Sequence, residues 1–201
     1  AEPCDIPKIL PEILACIRII CTNSKFYNTE ERLTGLLRKV SNEIIRCCCT
    51  KINLGEIFDG DVGESMVQLN QSIAGGVAWK DLYKRTADAL AKYTSDTSKH
   101  WNFDIASIFA QVDAFVQRCR DLLEVCEGQV QFARKLKQNE RGERAPLPVF
   151  GGSRGADVAK QLLDIEDQFA KHIDNLRVLE YDILDVKATR WHEDYNHLKN
   201  G

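Results

Sequence analysis

Trp101 to Gln138, WNFDIASIFAQVDAFVQRCRDLLEVCEGQVQFARKLKQ, is the stretch whose reading decides the fold. Its apolar residues recur at Ile105, Ile108/Phe109, Val112, Phe115/Val116, Cys119, Leu122/Leu123, Cys126, Val130 and Ala133, the alternating three-and-four spacing of a helix that buries one stripe. Asp104 is placed as an N-cap and Phe103 as a hydrophobic staple on Ile108, while Arg134, Lys135 and Lys137 suit the negative end of the helix dipole. One long amphipathic helix is predicted. At 1.5 Å per residue, roughly 34 residues make a rod of about 50 Å. A globule of this chain's length has a radius of gyration of about 16 Å, hence a diameter of about 40 Å as a sphere. The expected fold class is therefore all-α: elongated antiparallel helical bundles with long amphipathic helices. Such bundles hold partners in place more often than they enclose a reactive pocket.

Working outward, the N-terminal part predicts a helical hairpin. Ile9, Leu10, Ile13, Leu14, Ile17 and Ile20 keep helical spacing, with Pro11 expected in the first turn, where proline is tolerated. Thr22-Asn23-Ser24 breaks the pattern. Asn28 with Glu31 is a capping-box-like start for a second helix through Leu33, Leu36/Leu37, Val40, Ile44 and Cys47/Cys48. Asn53 to Gly63 reads as a glycine-punctuated connector, and Asp61 with Glu64 opens a third helix carrying Val62, Met66, Leu69 and Ile73. After Gly75-Gly76 its stripe resumes in a shifted phase as Trp79, Leu82/Tyr83, Thr86, Leu90 and Tyr93. Two glycines cost about 2 kcal/mol in an exposed helix, so they predict a kink or a close helix contact within one bent helix.

Thr94 to His100 connects to the long helix. Beyond it, Asn139 to Arg154, NERGERAPLPVFGGSR, lacks periodicity and reads as a loop of the kind that is mobile or occupied with a partner. Val158, Leu162, Ile165, Phe169, Ile173 and Leu176 mark a further helix, and a last one is expected from Asp182 through Ile183, Val186, Trp191 and Tyr195, with a break or bend near Leu179-Glu180-Tyr181. The segmentation is thus 1–58, an N-terminal hairpin; 59–138, a central pair of long helices; 139–154, a Pro/Gly loop; and 155–201, C-terminal helices. No period-two run bounded by turns signals a strand.

Composition narrows the function classes. A net charge of -3 and a pI near 5.9 give no global attraction to nucleic acid or anionic lipid. No apolar run approaches the length of a membrane span, and AEPCDIPK lacks the order of a signal peptide, so an intracellular chain is expected. The eight cysteines fall mostly among apolar helix-interior neighbours and read as reduced, buried thiols. Periodicity begins almost at once and Lys199-Asn200-Gly201 stops without a closing element, which reads as an excerpt of a larger chain.

Each candidate for chemistry has a structural reading beside it. Cys47-Cys48-Cys49 point about 100° apart in succession and cannot close one tetrahedral site, so packing at the end of the second helix is favoured. Cys119 and Cys126 share the buried stripe. His192 and His197 are separated by about 140° around a helix, and His100 and His172 are isolated. Asp59-Gly60-Asp61-Val62-Gly63-Glu64 has Gly63 and Glu64 where a calcium loop wants a ligand and a glycine. Phe150-Gly151-Gly152-Ser153-Arg154-Gly155 precedes a helix but lacks the Gly-Lys-Ser/Thr of a nucleotide loop, and reads as a flexible turn. No catalytic, cofactor-binding or metal-ligating residue is assigned. Gln111, Gln117, Arg118, Asp121 and Glu124 are expected on the outer face of the long helix, against water or a neighbouring subunit.

Several blocks, SKFYNTEERLTGLLRKVSNEIIR (24–46), WNFDIASIFAQVDAFVQRCRDLLEVCEGQVQFAR, PLPVFGGSRG and RWHEDYNHLKNG, together resemble the N-terminal tail of dynein heavy chains, axonemal more than cytoplasmic. The resemblance covers nearly the whole chain, with blocks in the family's order. It implies a parent that is an ATP-driven microtubule motor of the cytoskeleton, in the cytoplasm and the axoneme of cilia and flagella. ATP and Mg would belong to a motor ring elsewhere in that parent, and this segment would be no enzyme. Its implied work is structural: linking other dynein heavy chains, intermediate and light chains and axonemal docking proteins, with no nucleic acid and no membrane. A helical adaptor unrelated to motors is the alternative.

Overall fold

The computed structural model describes residues 2–93, 101, 103–132 and 149–200. After a 3-10 turn at Pro3–Asp5 the described residues form seven α-helices: α1 (Ile6–Asn23), α2 (Glu30–Cys49), α3 (Leu54–Asp59), α4 (Gly63–Tyr93), α5 (Ile105–Phe132), α6 (Gly155–Arg177) and α7 (Trp191–Asn200). The fold is all-α, as expected, with no strand among the described residues. The connector 94–100 with His100, the predicted last turns of the long helix with Arg134, Lys135 and Lys137, and most of the Pro/Gly loop lie outside the described residues. The helices form two compact units, Ala1–Ile52 with Val67–Arg120, and Asn53–Met66 with Asp121–Gly201.

In the first unit, α1 starts three residues before the predicted Ile9. Pro7 takes the tolerated first-turn position, so Pro11 lies inside the helix, where its missing N–H leaves the carbonyl four residues back without its usual donor. The buried stripe is Ile6, Leu10, Leu14, Ile17 and Cys21. The cap of α2 is Thr29 rather than Asn28: the threonine side chain accepts from the Arg32 amide at 3.4 Å. With Arg32 at the third helical position there is no capping box. Leu33, Leu37, Ser41, Ile44 and Cys48 form the stripe of α2.

From Val62, just before α4, the buried positions are Val62, Ser65, Leu69, Ser72, Gly75, Gly76, Trp79 and Tyr83, and all but Gly75 keep a continuous three-four repeat. The phase shift expected across Gly75-Gly76 does not occur. Ser65, Ser72 and Gly76 belong to the stripe, and a reading that counts only apolar residues passes over them. Of the two outcomes predicted for the glycines, Gly76 shows the close contact: a Cβ there would lie 2.7 Å from Val116 Cγ2 and 3.3 Å from Val112 Cγ1. Trp79 meets Phe109 at 5.9 Å, Tyr83 meets Phe109 at 5.2 Å, and Lys80 pairs with Asp113. Partners on α5 fall in number as those on α4 rise, so the two helices are antiparallel here. Trp101 and Phe103, 5.0 Å apart, complete the aromatic cluster through Tyr83.

The N-cap of α5 is Asp104, which accepts from the Ser107 amide at 3.1 Å, as predicted. Its buried face runs from Ile108 to Gln129 and includes Cys119 and Cys126. The predicted stripe fails at Ile105, 58% exposed, and at Val130, 57% exposed, and its last residue, Ala133, lies outside the described residues. The outer-face assignment also fails in part, because Arg118 and Asp121 are buried, each 4% exposed. Neighbours enclose more than one side of this helix, so its polar residues are packed as well.

In the second unit, the predicted connector Asn53–Gly63 holds the short helix α3. Asn53 caps it by accepting from the Gly55 and Glu56 amides, and Gly60, at φ 89°, ends it in the left-handed region that glycine adopts freely. Six residues are too few to show a period. Gly128 of α5 has no room for a side chain, since a Cβ would lie 2.7 Å from the Phe169 ring on α6. The last predicted helix is halved: only Trp191–Asn200 is helical. Upstream, Asp182 accepts from the Leu184 amide at 2.9 Å and Asp185 from the Lys187 amide at 3.0 Å. These local turns take the backbone donors a helix would need.

Candidate interaction surface

The groups singled out for chemistry are dispersed or occupied with packing. Cys48 is buried beside Ser72, and burial pushes its thiol up, whereas Cys47 and Cys49 are half-buried. Cys4 and Cys16 are exposed, against the expectation of buried thiols, and none of the eight cysteines is in a disulfide among the described residues. Burial drives the Cys126 thiol up to about 12. His172 and His197 line one groove with Asp194, but no group of three metal-ligating side chains assembles among the described residues. In the faint calcium-loop segment, Asp59 pairs with Arg177 at 2.9 Å and Gly60 terminates α3. At the glycine-rich turn, a Cβ on Gly155 would meet the Phe150 carbonyl oxygen at 2.0 Å, and the Gly155 amide donates to Gly152 at 3.1 Å. That is a tight turn into α6.

Buried polar side chains act as pins. Trp79 Nε1 donates to Ser41 Oγ at 2.9 Å, fixing α4 on α2. Trp191 Nε1 donates to Asp121 Oδ2 at 2.8 Å, fixing α7 on α5. Gln129 Nε2 reaches the Ile57 and Phe58 carbonyls at 3.1 Å each, and Arg177 also donates to the Phe58 carbonyl, so two side chains satisfy the last turn of α3. Tyr195 donates to Glu124, and Lys199 Nζ lies 3.0 Å from the same carboxylate. These donors hold the Glu124 carboxyl below its ordinary range. Burial and the adjacent carboxylate together push the Tyr195 phenol up.

What remains is surface, and one patch stands apart. The open groove on the α1–α2 hairpin, about 650 Å³, is lined by Ile20, Ser24, Tyr27, Arg32, Leu33, Gly35, Leu36 and Lys39. At the hairpin tip Phe26 and Tyr27 are 67% and 58% exposed and pack edge to face at 5.5 Å. The Arg32 guanidinium lies 4.4 Å from the Phe26 ring centroid and donates to the Phe26 carbonyl, and Ser24 Oγ accepts from the Tyr27 amide at 3.0 Å. The tip is ordered by its own contacts. The arrangement suits protein recognition, since rigid aromatic anchors beside arginine are the groups that carry interface energy.

The family model for the dynein heavy chain, N-terminal region 1, matches residues 1–201. The chain belongs to the dynein heavy chain family, through that region. The flagellar inner arm I1 complex dynein-1-beta heavy chain of Chlamydomonas reinhardtii is 55% identical over the whole of this chain, and the aligned segment is 4% of that protein. The ciliary dynein beta chain of Tripneustes gratilla is 28% identical over 96% of this chain and 4% of its own. Mouse dynein axonemal heavy chain 2 is 29% identical over the full chain and 2% of its own length. The relatives are thus ciliary and flagellar, in agreement with the axonemal resemblance, and the chain spans only a few per cent of their length. Sequence reasoning reached the dynein family but not the hairpin tip. Phe26-Tyr27 stood in a break between stripes, and an aromatic pair outside any helical period was the available signal.

Proposed function

We propose that these residues are a structural part of an axonemal dynein heavy-chain tail, a helical scaffold that joins the motor chain to its associated subunits. The observation that carries this reading is the match of the dynein N-terminal region over all 201 residues to chains that are much longer. The all-helical packing supports it, as do buried polar groups used as interhelical pins. In this reading ATP and Mg act in another part of the parent, and the segment itself catalyses nothing. Its partners are other dynein heavy chains, intermediate and light chains, and docking proteins of the axoneme.

The test is deletion of the segment from the tagged parent heavy chain. The expected result is loss of co-purifying subunits with ATPase turnover per chain retained. An unchanged subunit composition overturns the reading, and so does robust hydrolysis of ATP by the segment itself.

A further inference from the structure

We infer that the α1–α2 groove seats an amphipathic helix of another polypeptide, one whose apolar stripe is bordered by aspartate and glutamate. The inference rests on the scaffold reading above and gives it a surface and a partner chemistry. Four observations converge. The floor, built by Ile20, Leu33 and Leu36, is apolar and open. The anchors Phe26 and Tyr27 are exposed yet held by Arg32 and Ser24, so little conformational freedom remains to be lost on association.

Charge sets the sign of the partner. Among the described residues the charged ones lining the groove are Arg32 and Lys39, with no carboxylate, although the chain as a whole carries -3. Among the described residues Lys39 makes no ion pair or hydrogen bond, which leaves its ammonium for an incoming carboxylate. Gly35 completes the argument. It sits mid-helix in α2, where glycine costs about 1 kcal/mol relative to alanine, yet a Cβ there would meet nothing within 4 Å. No contact among the described residues calls for a glycine at this position. Space left open in the floor of a groove between two helices admits the close approach of a third, as in helix-in-groove recognition.

The experiment uses the full heavy chain in its native assembly, with p-benzoylphenylalanine replacing Tyr27 and cross-linked peptides mapped by mass spectrometry. The expected product joins Tyr27 to a peptide of a different polypeptide with a heptad-spaced apolar stripe and acidic flanks. Lys39→Glu lowers the yield about tenfold, whereas Lys39→Arg retains it. Gly35→Gln lowers it as well, although glutamine favours the helix, so misfolding does not account for the loss. Cross-links to lipid, to a second copy of this chain, or to nothing overturn the inference, as does a yield insensitive to Lys39→Glu. The two readings fail separately. Deletion that releases subunits while no Tyr27 cross-link forms sinks the groove and leaves the scaffold, whereas a cross-link of the expected kind with subunits unaffected by deletion does the reverse.

Discussion

The adjacent glycines of α4 show how far single residues differ under one sequence signal. At Gly76 an added methyl meets the stiff, β-branched Val116 at 2.7 Å, and at Gly75 it meets Ile6 no closer than 3.5 Å, an ordinary contact. Gly76→Ala is therefore expected to lower the stability of the first unit by about 1–3 kcal/mol through overpacking, despite alanine's helix propensity. Gly75→Ala is expected to leave it unchanged or raise it by up to about 1 kcal/mol. Urea midpoints compare the two, and equal effects would refute the packing account. Adding Val116→Ala to Gly76→Ala recovers part of the loss. A titration belongs at this scale too. Tyr195 first and then Lys199 lower the Glu124 carboxyl from its ordinary 4.5, so the pairing contributes fully above that value and is lost as pH falls through the lowered one. Wild type is expected to lose more stability than Glu124→Gln between about pH 6 and pH 3, by a small margin because the carboxylate is half exposed. Parallel pH profiles of the two proteins contradict this.

Among elements, periodicity carried well where a helix was long and one-sided, and less well at boundaries. Asn28 was read as the cap of α2 and the structure places the cap one residue later, so Thr29→Ala should cost about 1 kcal/mol of α2 stability. Asn28→Ala should cost little, and a thermal melt in which Asn28→Ala is the worse variant rules out the observed cap. The stretch 182–190 was read as the start of the last helix because Ile183, Val186 and Trp191 have compatible spacing. Side chains of Asp182 and Asp185 bind their own backbone two residues on, a competition that hydrophobic spacing does not register. The same blindness hid serine and glycine in the stripe of α4, because close-packed helices bury small residues that an apolar count passes over. On α5 a single-stripe reading placed Arg118 and Asp121 outside. That reading holds for a helix packed on one side, whereas Trp191 reaches Asp121 from a neighbour far along the chain.

For the molecule as a whole, the family was legible because blocks spread over the full length keep their order. The interaction surface was not, because exposure is a property of packing and Phe26-Tyr27 could equally have been core. The cysteines test that packing along the entire chain. Thiolate is the nucleophile toward alkylating agents, so reactivity needs both exposure and an accessible thiolate. Cys4 and Cys16 are exposed, Cys47 and Cys49 half-buried, and Cys21, Cys48, Cys119 and Cys126 buried. Burial pushes Cys21, Cys48 and Cys126 up, the last to about 12. Brief iodoacetamide labelling at neutral pH, read by peptide mass spectrometry, is expected to modify Cys4 and Cys16 first. Cys47 and Cys49 follow, and Cys119 and Cys126 label only in denaturant. Burial keeps the Cys126 thiol protonated, so raising the pH toward about 9 does not open it to labelling. Labelling of Cys119 and Cys126 at the rate of Cys16 under native conditions would mean that α5 is not packed as described. The pins from Trp191 and Tyr195 to the same helix would then fail with it.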